Sequence, residues 1–125
     1  MERIPIKTDK APEAIGPYSQ AIITDNMLFI SGQLPINPLT GVLEEGIEKQ
    51  TKQALKNLES ILCEAGATVN NVVKTTLYLK NMEHFQEVNT VYGQTFNCSE
   101  PARSCVGVSS LPKDALIEIE AIAVL

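Results

Sequence analysis

The chain has 125 residues, 44% of them hydrophobic and 20% charged, which is typical of an ordinary globular protein with a single core. Its 15 acidic residues outnumber its 10 Lys and Arg, for a formal net charge of −5. This balance argues against a surface that binds nucleic acids or anionic membranes.

Cysteine and histidine usage restricts the remaining classes. Three cysteines at wide spacing (63, 98 and 105) favour free thiols over a disulfide framework, and a single histidine argues against a protein-built zinc site. The N-terminus has neither a signal-peptide nor a transit-peptide pattern, and no apolar run reaches transmembrane length. We therefore expect one cytoplasmic, metal-free domain over residues 1–125.

The first third of the chain predicts β-structure. Alternation predicts a strand at residues 3–7. Residues 20–24 and 27–31 predict a β-hairpin, because the Asp-Asn turn between them suits positive φ. A loop rich in proline and glycine follows at 35–41.

The strongest helix prediction covers residues 47–65. Its apolar residues recur with helical spacing, and Gly66 follows as the C-cap. A strand is then predicted at 72–80. The residues expected on one face of that strand are Val73, Thr75, Leu77 and Leu79.

A second helix is predicted to begin after Asn81, which would be its N-cap. Two final strands are predicted at 102–108 and 116–124. The residues expected on the inner side of the second helix are Met82, Phe85, Val88, Tyr92 and Phe96.

This order of elements predicts an α+β fold with both helices on one face of the sheet. The other face would be bare, yet the last strand has apolar residues on both of its sides. An exposed apolar sheet face is usually an interface, so the pattern predicts self-association.

The two C-terminal strands also contain the residues that suggest chemistry. Arg103 and Cys105 alternate on one strand and point to the same side, as do Glu118 and Glu120 on the other. Charges on such apolar strands need partners. An arginine and an acid on neighbouring strands either form a structural ion pair or bind a ligand between them, and periodicity does not distinguish the two glutamates.

Six sequence blocks occur in one order along almost the whole chain. They are Ala14–Ala21, Ile30–Pro35, Val73–Thr76, Asn89 with Tyr92, Pro101–Val106 and Ile117–Val124. In this respect the chain resembles the YjgF/YER057c/UK114 family, also called the RidA family of enamine/imine deaminases. The resemblance implies a chorismate-mutase-like subunit (bacillus type) in a homotrimer, with the active sites in the clefts between neighbouring subunits.

The same resemblance implies a set of site residues. It selects Glu118 over Glu120 by its distance from Arg103, and it assigns Arg103 to the substrate carboxylate and Glu118 to general acid–base catalysis. Cys105 would be a pocket wall rather than a nucleophile, because the sequence supplies no neighbouring base. Glycine in Ser31-Gly32 would let a ligand approach the backbone. The implied substrate-binding residues are Tyr18, Ser31, Gly32, Asn89, Arg103 and Cys105.

The implied reaction is the hydrolysis of 2-enamino or 2-imino acids, such as 2-aminoacrylate and 2-iminopropanoate, to 2-oxo acids and ammonia. This is the activity of a 2-iminobutanoate/2-iminopropanoate deaminase. The imine carbon is already electrophilic, so no cofactor or metal is expected. The alternatives are an RNA-directed role, as a translation inhibitor or endoribonuclease, and non-catalytic binding of a small metabolite in the same cleft.

Overall fold

The computed structural model describes residues 2–125, which form six β-strands and two α-helices. Three short 3₁₀ turns separate some of these elements, at Val69–Asn71, Met82–His84 and Pro112–Asp114. In chain order the elements are β1 (Ile4–Ile6), β2 (Ala21–Thr24), β3 (Met27–Gln33), α1 (Ile47–Glu64), β4 (Val72–Leu79), α2 (Phe85–Thr95), β5 (Ala102–Gly107) and β6 (Ile117–Val124).

The strands form one mixed sheet in the order β1-β2-β3-β6-β4-β5. All neighbours are antiparallel except β4 and β5, which are parallel and are connected through α2. Both helices pack on one face, where the core lies. The predicted α+β architecture is therefore confirmed. Within residues 2–125, every helix is too short or too polar to cross a bilayer.

Helix α1 confirms the prediction from hydrophobic periodicity, and its C-terminus ends as expected. Gly66 has a φ of +80°, a backbone conformation that residues other than glycine rarely adopt. The Ala67 N–H donates to the Leu62 carbonyl at 2.8 Å and the Gly66 N–H to the Cys63 carbonyl at 3.0 Å. These two bonds satisfy carbonyls that the end of the helix would otherwise leave unpaired.

The start of α2 differs from the prediction. Asn81 does cap a helical turn, accepting from the Glu83 N–H at 2.9 Å, but that turn is 3₁₀ and α2 begins only at Phe85. A 3₁₀ turn has three residues per turn, so it changes the phase of the side chains. Met82 is consequently 45% exposed and does not lie on the inner side of the helix.

Strand β4 contains a second correction. Its pairing with β6 shifts between Val72 and Lys74, so an extra residue is accommodated there. Val72 therefore faces the core, while Val73, which was expected there, is 46% exposed. Beyond the shift, Thr75, Leu77 and Leu79 are buried as predicted.

The sheet face opposite the helices is uncovered in the single chain. Strand register places alternate residues of the central strands on this face. It has an apolar part, which we call the apolar patch, and an adjoining polar part. The apolar patch comprises Ile22, Phe29, Ile122 and Val124, and the polar part includes Tyr78, Glu118 and Glu120.

Candidate functional site

Arg103 lies on the helix side of the sheet. It is on the edge strand β5, opposite the buried Thr75 of β4. Its Nη1 donates to Asn89 Oδ1 of α2 at 2.7 Å. Its Cζ is 4.9 Å from the centre of the Tyr92 ring and 5.6 Å from that of Phe85, within the range of cation–π contacts. These residues form an arginine cluster in which the guanidinium is exposed but held in one orientation.

The aromatic support of Arg103 is itself fixed to the core. The Tyr92 hydroxyl and Thr75 Oγ1 are hydrogen-bonded at 2.7 Å, and the Tyr92 ring lies 4.7 Å from that of Phe96. Burial raises the pKa of Tyr92, although the hydrogen bond with Thr75 and the charge of Arg103 act in the opposite direction. The phenol is therefore neutral at physiological pH, and its ring stays in place under the guanidinium.

Cys105 points to the same side as Arg103 and packs partly against the core. Burial raises the pKa of its thiol, and the nearby Arg103 charge offsets this only in part. A protonated thiol is a poor nucleophile. This environment agrees with a role of Cys105 as a pocket wall, which remains a prediction.

Glu118 lies on the opposite, uncovered face, next to an irregularity in β3. Pairing of β3 with β6 shifts between Ile30 and Gln33, so Ser31 and Gly32 form a bulge within the strand rather than ending it. A Cβ on Gly32 would lie 2.2 Å from Glu118 Oε2. Glycine at this position therefore lets the carboxylate rest against the backbone of β3.

A second carboxylate and a phenol adjoin Glu118. Tyr78 of β4 is opposite Glu118 in the sheet register, and its hydroxyl donates to the Glu120 carboxylate. Burial raises the pKa of Glu118, and the Glu120 charge raises it further. The hydrogen bond to Glu120 is the main cause that raises the pKa of Tyr78 to about 12.

Tyr18 and Ser31 border a cleft of about 750 Å³ on this uncovered face. The Tyr18 N–H donates to the Gly16 carbonyl at 2.8 Å in a tight turn, and the side chain is 51% exposed. Ser31 Oγ donates to the Ser19 carbonyl at 2.6 Å, which ties the turn to β3. The cleft is also lined by Arg3, Ile22, Phe29 and Glu120.

The expected site residues therefore fall into two groups on opposite faces of the sheet. Strand β4 lies between β5 and β6, so Arg103 and Glu118 are not on neighbouring strands, contrary to the expectation from sequence. They form no ion pair within the chain, because the sheet separates them. The helix-side group is Asn89, Arg103 and Cys105, and the group on the uncovered face is Tyr18, Ser31, Gly32 and Glu118.

Three contacts of these groups were not expected from sequence: Tyr92 and Phe85 beneath Arg103, and Tyr78 on Glu120. Tyr92 was predicted only as a core residue. Tyr78 alternates with Leu77 and Leu79, which indicates a side chain on the uncovered face but names no partner. Within residues 2–125, no three His, Cys, Asp or Glu side chains are grouped as ligands for a metal ion.

Comparison with known proteins identifies the family. The sequence model of the family described as Endoribonuclease L-PSP matches residues 8–125. The chain is 55% identical over 119 residues to a RutC family protein of Pyrococcus abyssi, across 94% of both chains. It is 48% identical over 122 residues, and 95% of both chains, to the 2-iminobutanoate/2-iminopropanoate deaminase of Escherichia coli.

Solved structures agree with this assignment. The Rid family protein YyfA of Yersinia pestis superposes with a TM-score of 0.97 at 51% identity, covering 99% of this chain and 100% of that one. Escherichia coli TdcF, whose structure contains bound serine, gives a TM-score of 0.95 at 41% identity over 98% of both chains. The chain belongs to the YjgF/RidA family.

Proposed function

We propose that this protein hydrolyses small 2-enamino and 2-imino acids, such as 2-iminopropanoate, to 2-oxo acids and ammonia. The observation that carries the proposal is the arginine cluster. Asn89 and Tyr92 hold the guanidinium of Arg103 while leaving it exposed. A guanidinium held in this way is suited to bind a planar carboxylate through two hydrogen bonds.

Glu118 would move the protons. Its carboxylate takes a proton from water as the water oxygen bonds to the imine carbon, and this proton passes to the nitrogen. The hydroxyl proton of the resulting carbinolamine then moves through Glu118 to the same nitrogen. The C–N bond breaks, ammonia leaves and the 2-oxo acid remains. The raised pKa of Glu118 suits a group that must both accept and return a proton.

This chemistry requires a site that is shared between copies of the chain, because one copy holds Arg103 and Glu118 on opposite faces of its sheet. In the proposed homotrimer, Arg103 of one copy faces Glu118 of the next. The uncovered apolar patch supports such an assembly, since an exposed apolar sheet face is usually an interface.

Two comparisons support the substrate class. A relative that is 48% identical carries the name of an imine deaminase, and TdcF binds serine. Both ligands combine a carboxylate with a nitrogen on the adjacent carbon. Arg103 suits the carboxylate, and Glu118 suits a nitrogen that must receive protons.

The test is ammonia release from freshly generated 2-iminopropanoate, combined with the binding of an unreactive 2-oxo acid. Arg103→Ala should lower kcat/KM by about 30- to several-thousand-fold, the kinetic equivalent of about 2–5 kcal/mol for a broken charge pair, and should weaken 2-oxo acid binding. Arg103→Lys should restore only part of this, because an ammonium lacks the bidentate geometry.

Glu118→Gln separates catalysis from binding alone. It should lower turnover by about 10²- to 10⁴-fold, because the general base is lost, while the 2-oxo acid still binds. If the wild-type protein binds the 2-oxo acid but releases no ammonia, the proposed catalysis is wrong and the protein only binds a small metabolite. Simultaneous loss of binding and of assembly in both variants would assign the two residues a structural role instead.

An RNA-directed function is the second candidate, because the family description names an endoribonuclease. The charge balance opposes it: the net charge is −5 and the 10 Lys and Arg are scattered along the chain. Weak RNA binding that disappears with rising salt is expected. RNA cleavage by highly purified protein, abolished by Arg103→Ala, would reverse this order of candidates.

A further inference from the structure

Glu118 and Glu120 lie on the same face of β6, two residues apart and partly buried. Two like charges on the same face of one strand repel each other, so a neighbouring group is expected to hold them together. Tyr78 supplies a second observation. It stands opposite Glu118 on β4 but donates its hydrogen bond diagonally, to the Glu120 carboxylate.

The hydrogen bond from Tyr78 has a geometric consequence. It holds the Glu120 side chain in place and prevents it from turning away from its neighbour into solvent. The Glu120 carboxylate therefore stays beside Glu118, where a free side chain would move to relieve the repulsion.

We propose that Tyr78 and Glu120 are positioning residues for the reaction: Glu120, held by Tyr78, keeps the proton-bound form of Glu118 accessible, so that Glu118 can return a proton to the departing nitrogen. The inference rests on the proposed function, since it assigns the proton to Glu118. It also assigns part of the proton affinity of Glu118 to two residues, Tyr78 and Glu120, that are not among the proposed substrate contacts.

The other groups around Glu118 do not supply the same effect. From β3 it faces Gly32, which carries no charge. Tyr18 and Lys113 border a small cavity that Gly32 also lines. In the proposed assembly Arg103 of a second copy also faces Glu118, and it favours the ionised form. The raised pKa of Glu118, caused by burial and then by Glu120, agrees with the proposal.

The test is a ¹³C NMR titration of the Glu118 carboxyl group in the intact protein, with the signal assigned by its absence in Glu118→Gln. In Glu120→Gln the amide oxygen still accepts from Tyr78, but the negative charge is gone. The midpoint of the Glu118 titration should therefore fall. In Tyr78→Phe the midpoint should fall by less, because Glu120 remains but is free to move. Glu48→Gln, on the exposed side of α1, is the charge-matched control and should not change it.

The activity readout follows from the sign of this change. Glu118 must be ionised to accept the first proton, so a lower pKa extends activity to lower pH. The acid limb of the kcat/KM profile should move to lower pH in Glu120→Gln and, less, in Tyr78→Phe. An unchanged or higher midpoint in Glu120→Gln overturns the inference, and an unchanged midpoint in Tyr78→Phe overturns the part assigned to Tyr78.

The two proposals fail separately in this design, because the titration is recorded without substrate. If the titration midpoints are as expected but the protein deaminates no imino acid, the proposed function is wrong and the coupling between the two carboxyl groups still holds. Deaminase activity in Glu120→Gln and Tyr78→Phe, with Glu118 titrations identical to that of the wild type, would contradict the coupling and leave the proposed function intact.

Discussion

At the scale of single residues, the position of the Glu118 carboxylate, the proposed general acid–base, depends on Gly32, a residue without a side chain. The Gly32→Ala substitution would place a methyl group 2.2 Å from Glu118 Oε2 and displace it. Misplacement of about 1 Å costs about 100-fold in rate, so kcat should fall to that extent. Binding of a 2-oxo acid should persist, because in the proposed assembly its carboxylate is held by Arg103 of a neighbouring copy and not by Glu118.

Gly93 offers a matched control for this change. A Cβ at Gly93, within α2, would meet no atom within 4 Å. Gly93→Ala should therefore leave kcat unchanged and stabilise the helix by up to about 1 kcal/mol. Equal losses of activity in the two alanine variants would contradict the role assigned to the Gly32–Glu118 contact.

The orientation of Arg103 depends on the aromatic ring beneath it. Tyr92→Leu removes that ring and should weaken 2-oxo acid binding about 2- to 30-fold, the equivalent of about 0.5–2 kcal/mol for a cation–π contact. Tyr92→Phe keeps the ring and should retain most of the affinity. Phe96→Leu, which opens a similar space beside Tyr92 without touching Arg103, is the control for core damage. Calorimetric titration distinguishes the three variants.

At the scale of elements, helix α1 has a function that its apolar stripe does not reveal. Four polar side chains on it are buried, namely Gln50, Thr51, Gln53 and Asn57. Asn57 donates to the Leu34 and Ile36 carbonyls at 2.9 Å each, and Gln50 accepts from the Leu116 N–H at 2.8 Å. The helix thus fixes the segment that leaves β3 and the residue that precedes β6, the two strands on which Gly32 and Glu118 lie.

The substitution Asn57→Leu tests this connection. It leaves the Leu34 and Ile36 carbonyls and the Gln53 amide without their partner, so it should lower the free energy of unfolding by about 2 kcal/mol or more. Lys56→Ala, at the adjacent exposed position, should change it by less than about 0.5 kcal/mol. Urea unfolding at one protein concentration measures both, and similar values for the two variants would refute the argument.

At the scale of the whole molecule, the opposite placement of Arg103 and Glu118 makes a prediction about mixed assemblies. A mixture of Arg103→Ala and Glu118→Gln chains, unfolded and refolded together, should regain activity that neither variant has alone. If each site takes one residue from each of two neighbours, random assembly restores about a quarter of the sites. Absence of any recovery in verified mixed assemblies would show that the site is not shared in this way.

The assembly itself is tested by mass and by a surface substitution. The protein should sediment at about three times its chain mass of 13.6 kDa. Phe29→Glu puts a charge into the apolar patch and should yield inactive monomers. Leu39→Glu alters a loop residue that is 91% exposed and should leave both mass and activity unchanged.

The sequence by itself determined the features that depend on local interactions. The stripe at 47–65 and Gly66 predicted α1 and its C-cap, because helical periodicity and positive φ are properties of neighbouring residues. The fold class followed from the order of such elements, and the family blocks supplied the candidate residues of the site. Alternation along each strand also placed Arg103 with Cys105 and Glu118 with Glu120 correctly.

Only the tertiary structure decided which of these pairs meet. Strand order puts β4 between β5 and β6, and the bulge at Ser31 and Gly32 brings the Glu118 carboxylate onto the backbone of β3. Both depend on residues far apart in the chain, and a shift of one position reverses the face on which a strand's side chains lie. For that reason the sequence predicted the arginine and the glutamate, whereas their separation by the sheet became visible only in the folded chain.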